Sequence, residues 1–139
     1  MSIIESDAFG GTMKIVGLAA FTICLGILMG AFGAHGLEGK ISPERIETWN
    51  TAALYQNLNG LGLLGLGVLR TLKPQSVPLG ALRLLGFGIV VFSGALYTLV
   101  LFDLPIMGAI TPIGGLALSS AWAWLGIHQF RHQESPVSS

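Results

Sequence analysis

Charge is the scarcest feature of this sequence. Of 139 residues, seven are Lys or Arg and seven are Asp or Glu, 10% in all, against roughly 25% in an average soluble domain. The signs cancel and neither gathers into a block, which excludes a nucleic-acid surface and an acidic tail. Cysteine is nearly absent too: Cys24 stands alone, so no intrachain disulfide can form. The sequence has no phosphate-binding glycine loop ending in Lys and Ser/Thr, no zinc-ligand spacing and no nucleophile elbow. No acidic residue is placed to form a buried acid–base pair, because Asp103 is isolated between two apolar runs. The ordinary routes to catalysis, to a metal and to a cofactor are therefore missing, and the chain is expected to be no enzyme and to carry no cofactor.

What the chain does have is long uncharged runs. No Asp, Glu, Lys or Arg occurs within 15–37, 48–69, 84–102 or 104–130. These runs are about 19 to 27 residues long, and about 20 apolar residues carry a helix across the hydrocarbon core of a bilayer. An ion at that depth is costly, which explains why charge is confined to the gaps between runs. The expected fold class is all-α, an integral membrane four-helix bundle with both termini cytoplasmic. A single transmembrane domain over 14–128 is expected, with spans at about 14–36, 48–69, 80–102 and 108–128. An N-terminal tail of 1–13 and a C-terminal tail of 129–139 complete the chain. The first span ends in Ala31-Phe32-Gly33-Ala34, resembling a cleavage site, but its length and the three runs behind it predict retention.

Orientation follows from the basic residues. Lys14, Arg70, Lys73, Arg83 and Arg131 fall on one side, and Lys40 and Arg45 on the other. The richer side is expected to face the cytoplasm of a cell inner membrane.

Twenty glycines would weaken soluble helices, whereas in lipid they let helices approach closely. Gly26, Gly30 and Gly33 share a face of the first span, and Gly94, Gly114 and Gly115 are the expected packing positions of the later ones. Ser42-Pro43-Glu44 reads as a helix start, with Ser as N-cap and Pro at the first helical position. The helix that follows puts Trp49 at headgroup level and carries a stripe of Thr48, Thr51/Ala52, Tyr55 and Asn59 with Gln56 beside it. Such groups in hydrocarbon must face other helices or water. Thr111-Pro112 reads in the same way as the start of the fourth helix; the alternative is a start near Leu104 with a kink at Pro112.

His35, Tyr55, Gln56, Asn59, Ser93, Tyr97 and Thr111 form the candidate polar cluster. His128 and His132 are four apart at the end of the last span, near enough to share a metal, but no third ligand accompanies them and no metal site is expected.

Four motifs occur in order: Gly30-Ala31-Phe32-Gly33-Ala34-His35-Gly36-Leu37, Trp49-Asn50-Thr51-Ala52 leading to Tyr55-Gln56, Phe92-Ser93-Gly94-Ala95-Leu96-Tyr97, and Ile110-Thr111-Pro112-Ile113-Gly114-Gly115. Together they span most of 13–127, and the chain resembles the YgdD-like family of small bacterial inner-membrane proteins, a family grouped under a domain of unknown function. The resemblance implies a multi-span inner-membrane protein and no particular activity. Where that family usually has histidine in a Tyr-Gln-x-x-His-Ala-Leu pattern, this chain has Asn59. A carboxamide does not titrate near neutrality, so Asn59 fits a hydrogen-bonding task across the bundle and not proton transfer.

The expected function is non-enzymatic: helix packing, as a homo-oligomer or as an accessory subunit of a membrane complex. The expected partners are the lipid bilayer and other membrane chains or further copies of this one, with no nucleic acid. The alternative is an oligomeric channel or transporter for a small polar solute or proton. A third reading, a cofactor held by His35 or by His128 and His132, has no partner ligands in its favour.

Overall fold

The computed structural model describes residues 3–133, and their side chains over 9–132. Among the described residues the chain is helical with no strand. α1 covers Ile3–Phe32 and continues through one wider π turn at Gly33–Leu37. α2 covers Pro43–Leu72, α3 Leu79–Phe102 and α4 Ile106–Gln133. A single short turn, Pro74–Ser76, interrupts the connection between α2 and α3. α1 begins at Ile3, inside the segment read as an N-terminal tail, and residues 134–139 of the expected C-terminal tail lie outside the described residues.

Three helical stretches are long and apolar enough to cross a membrane: Phe9–Leu37, Leu79–Phe102 and Ile106–His132. α2 falls short of that standard because Asn50, Thr51, Gln56, Asn57 and Asn59 occupy its middle. It begins as its sequence predicts. The Ser42 hydroxyl accepts from the Arg45 backbone N–H at 3.4 Å, with Pro43 in the first turn. Glu44, ahead of the uncharged 48–69 stretch, has its carboxyl held below the ordinary carboxylate range by a backbone N–H and by the Ser42 hydroxyl.

The start of α4 differs from the expectation favoured above. The helix begins at Ile106 and runs through Pro112 without a break. Pro105 is the proline at the entrance: Met107 N–H bonds the Leu104 carbonyl and Gly108 N–H bonds the Pro105 carbonyl, both at 3.0 Å. Pro112 removes one bond of the ladder, from its missing N–H to the carbonyl of Gly108. Packing on α3 holds the turns on either side, with Gly108 against Leu99 and Gly114 against Phe92.

Successive helices are neighbours, α1 on α2, α2 on α3 and α3 on α4, and their short connections make them antiparallel. The interfaces pair a large side chain with a glycine. All three tryptophans lie over a glycine of another helical segment: Trp49 over Gly33, Trp122 over Gly62 and Trp124 over Gly80. Gly88 receives Leu118 in the same manner. Without such gaps these rings would hold the helices apart, and lipid offers no hydrophobic drive to close them.

Two apolar clusters result. One contains Leu63, Leu82, Leu85, Leu118 and Leu125 and closes the end that holds the α2–α3 connection. The other contains Leu37, Trp49, Ala52, Tyr97 and Val100 at the opposite end. Gln56 and Asn59 occupy the level between them, both buried.

Arginines close both ends of the helix pairs. Arg45 donates to the Leu99 carbonyl at 3.0 Å and pairs with Asp103, which ends α3 in the left-handed conformation. Arg70 donates to the Pro74 carbonyl at 2.9 Å and also to that of Val77. Each guanidinium supplies donors to carbonyls that a helix end or loop leaves open.

These contacts separate two kinds of glycine. A Cβ at Gly114 would overlap the Phe92 backbone, whereas one at Gly30 meets nothing within 4 Å. Gly114→Ala is expected to destabilise the protein by about 1–3 kcal/mol, the usual cost of overpacking. Gly30→Ala is expected to be neutral or to stabilise by up to about 1 kcal/mol, the usual gain of Ala over Gly inside a helix. Unfolding in mixed micelles with increasing SDS measures both.

Candidate functional site

One face of α2 organises the polar interior. Trp49, Ala52, Gln56, Asn59 and Leu63 recur at three- and four-residue spacing and are all buried. The buried stripe is therefore rotated from the one expected. Gln56 lies at its centre, while Tyr55 is 43% exposed and stacks on Phe92, ring centroids 4.8 Å apart.

Gln56 joins three helices. Its Nε2 donates to the Thr22 carbonyl of α1 at 2.9 Å, and its Oε1 accepts from the Tyr97 hydroxyl of α3 at 2.8 Å. One turn towards the start of α2, the Ser93 hydroxyl donates to the Ala52 carbonyl at 2.8 Å. One turn the other way, Asn59 Nδ2 donates to the Tyr55 carbonyl and Asn59 Oδ1 accepts from Trp122 Nε1 of α4, both at 2.9 Å. Trp49 does not face outward from α2. It is fully buried, donates from Nε1 to the Met29 carbonyl at 2.6 Å, and packs on Tyr97 with ring centroids 4.6 Å apart. The bare backbone at Gly33 makes room for the indole, and the Met29 carbonyl satisfies its N–H.

The structure thus brings Gln56, Ser93 and Tyr97 together and ties Asn59 to the next level. His35 lies apart, exposed in the π turn. Thr111 bonds only within its own helix, to the Met107 carbonyl at 2.9 Å. Of the glycines, Gly26 packs against the Asn57 amide, Gly33 against Trp49 and Gly114 against Phe92. A Cβ at Gly115 would make ordinary contact with the Phe92 ring, and one at Gly30 or Gly94 would meet nothing within 4 Å. Thr22, Trp49 and Trp122 belong to the polar interior although the sequence did not mark them as part of it. The spacing of Trp49, seven before Gln56, is the signal that places it on the same face; the part of Thr22 is played by its backbone and leaves no trace in composition.

Asn57 Oδ1 is buried without a hydrogen-bond partner and lies against the Gly26 backbone, where only a weak C–H contact is open to it.

At the opposite end of the helices, His128 Nε2 is 3.0 Å from the Gln75 carbonyl, and its ring meets that of His132 edge-on at 4.2 Å between centroids. Gln129 donates to the Ser76 carbonyl. His128 and Gln129 together hold α4 to the α2–α3 connection. Among the described residues no group of three or more His, Cys, Asp or Glu side chains comes together. The level of Gln56 and Asn59 contains no Asp, Glu, Lys, Arg or His among the described residues, so its chemistry is that of neutral hydrogen bonding.

Residues 29–115 match a family described as a protein of unknown function, DUF423. A UPF0382 membrane protein of Staphylococcus saprophyticus is 44% identical over 114 residues, 82% of this chain and 94% of that protein. One from Staphylococcus epidermidis is 46% identical over 110 residues, 79% of this chain and 89% of its own length. The UPF0382 membrane protein YwdK of Bacillus subtilis is 40% identical over 109 residues, 76% of this chain and 86% of that protein. No solved structure matches the chain.

The Gln56–Tyr97 bond is measurable on its own. A double-mutant cycle of Gln56→Leu and Tyr97→Phe, read by SDS unfolding, is expected to give a coupling of about 0.6–1.7 kcal/mol, the range for such bonds inside membranes. A coupling near zero would show that the two side chains act independently.

Proposed function

The chain belongs to the DUF423 family, and we propose that it is a non-enzymatic integral membrane protein that acts through helix contacts, as a homo-oligomer or as an accessory subunit of a larger membrane complex. It spans the cell inner membrane as a four-helix bundle, with α2 as the fourth span and both termini cytoplasmic. Five basic residues on the side of the termini against two on the other support that orientation. The burial of α2's polar face against its neighbours supports its place as a span, because lipid then meets chiefly its apolar sides.

The single observation that carries the functional reading is the use made of the polar side chains. Gln56 bonds α1 and α3, Ser93 bonds α2, and Asn59 bonds α4. A solute or proton path requires groups that exchange partners with the cargo, and these groups hold the helices together instead. Meanwhile α1 packs along α2 and leaves Leu18, Phe21, Ile27 and Leu28 on the outside. Gly30, with open space beside it, interrupts that apolar surface. A helix of another chain can approach there closely, as small residues allow in lipid.

Extraction in mild detergent followed by native mass spectrometry tests the reading. The expected result is a stable oligomer or a co-purifying membrane partner, and a strictly monomeric species with none would overturn it. A reporter that works only in the cytoplasm, fused after Ser139, is expected to be active; activity of an external reporter alone would reverse the orientation.

A further inference from the structure

α1 and α3 flank α2 without closing over it at the level of Gln56, and a groove of about 220 Å³ lies between them. Its walls are apolar, Leu25 and Met29 on one side and Ile89 and Val90 on the other. Its floor is polar, made of Gln56, Ser93 and Tyr97. Leu25 is 49% and Val90 71% exposed, so the mouth opens sideways through the surface that lipid covers. Whatever enters must arrive dissolved in the membrane.

The floor has hydrogen-bonding capacity left over. A carboxamide nitrogen carries two N–H groups, and Gln56 Nε2 gives one to Thr22. The Tyr97 and Ser93 hydroxyls have each donated their proton, to Gln56 and to the Ala52 carbonyl, and keep oxygen lone pairs. The groove therefore offers one amide donor and two hydroxyl acceptors, and no charge. An N–H left unmatched in hydrocarbon is costly, so a ligand with a carbonyl is favoured over a plain alkyl chain.

Depth and size narrow the class. Gln56 lies eight residues into the uncharged run that begins at Thr48, about 12 Å at 1.5 Å per residue. That is well inside a hydrocarbon core about 30 Å thick. The volume exceeds the roughly 150 Å³ of a cavity that holds benzene and falls below the roughly 300 Å³ where drug-sized sites begin. One substituted six-membered ring fits, with its tail left outside.

We propose that this groove binds the ring of a prenylated quinone, with Gln56 Nε2 donating to a ring carbonyl and the tail leaving between Leu25 and Val90 into lipid. The reduced, hydroxyl-bearing form also finds partners, in the Ser93 and Tyr97 oxygens. Binding alone is proposed, and it is independent of whether the chain is oligomeric or has a protein partner.

Quinones quench tryptophan, and Trp49 packs directly on Tyr97. The full chain in phosphatidylcholine nanodiscs is titrated with a benzoquinone bearing one short prenyl tail, and tryptophan emission is followed. Saturable quenching is expected. Gly94→Leu fills the groove from a position whose Cβ meets nothing within 4 Å, and it is expected to weaken binding about tenfold or more. Val90→Phe, which blocks the mouth without adding a tryptophan, is expected to do the same and serves if the first variant does not purify in folded form. Quenching that rises linearly without saturation overturns the proposal, as does equal saturation in the groove-filling variants. So does equal competition by a prenol of the same tail length without a ring, which would show that the groove takes a chain.

Discussion

The structure depends on one constraint: a side-chain amide shut away from water between helices must find its partners inside the protein. Gln56 meets that constraint by reaching α1 with its nitrogen and α3 with its oxygen. Because both ends of a single rigid amide are engaged, the spacing and rotation of three helices are set together. Asn59 extends the arrangement to α4 through Trp122. Buried polar residues therefore act as fixed points around which apolar packing, which is less directional, arranges itself.

Glycine makes those fixed points reachable. A bond of about 2.9 Å from the Gln56 amide to a backbone carbonyl on a neighbouring helix requires the two helices to be close, and Gly26, Gly60 and Gly67 line the α1–α2 contact where they are. Elsewhere the three indole rings are matched to the gaps at Gly33, Gly62 and Gly80, so close approach is obtained there too. The same device explains why Trp49 is buried. Its ring needs Gly33 beneath it, and its N–H needs a carbonyl, which Met29 of α1 provides.

Charge, scarce throughout, is used where helices end. Arg45 and Arg70 each reach carbonyls that no helical N–H can satisfy, one beside the left-handed Asp103 and one in the Pro74–Ser76 turn. The long uncharged runs and the arginine-closed ends reflect the same dielectric boundary, met from its two sides.

The helical class, the Ser42-Pro43 start and the confinement of charge were readable from composition and spacing alone. These follow from solvent transfer and local capping, which depend on residue type and short-range order. The choice of Pro105 over Pro112 as the entrance to α4 was not readable, because both prolines satisfy the local rule and contacts between α3 and α4 decide between them. The same holds for the centring of the buried stripe on Gln56 in place of Tyr55: adjacent residues lie about 100° apart on a helix, and only the positions of neighbouring helices select which angle faces inward. Which glycines touch and which remain bare was likewise settled in three dimensions, since a missing side chain has no direction of its own until another helix lies against it.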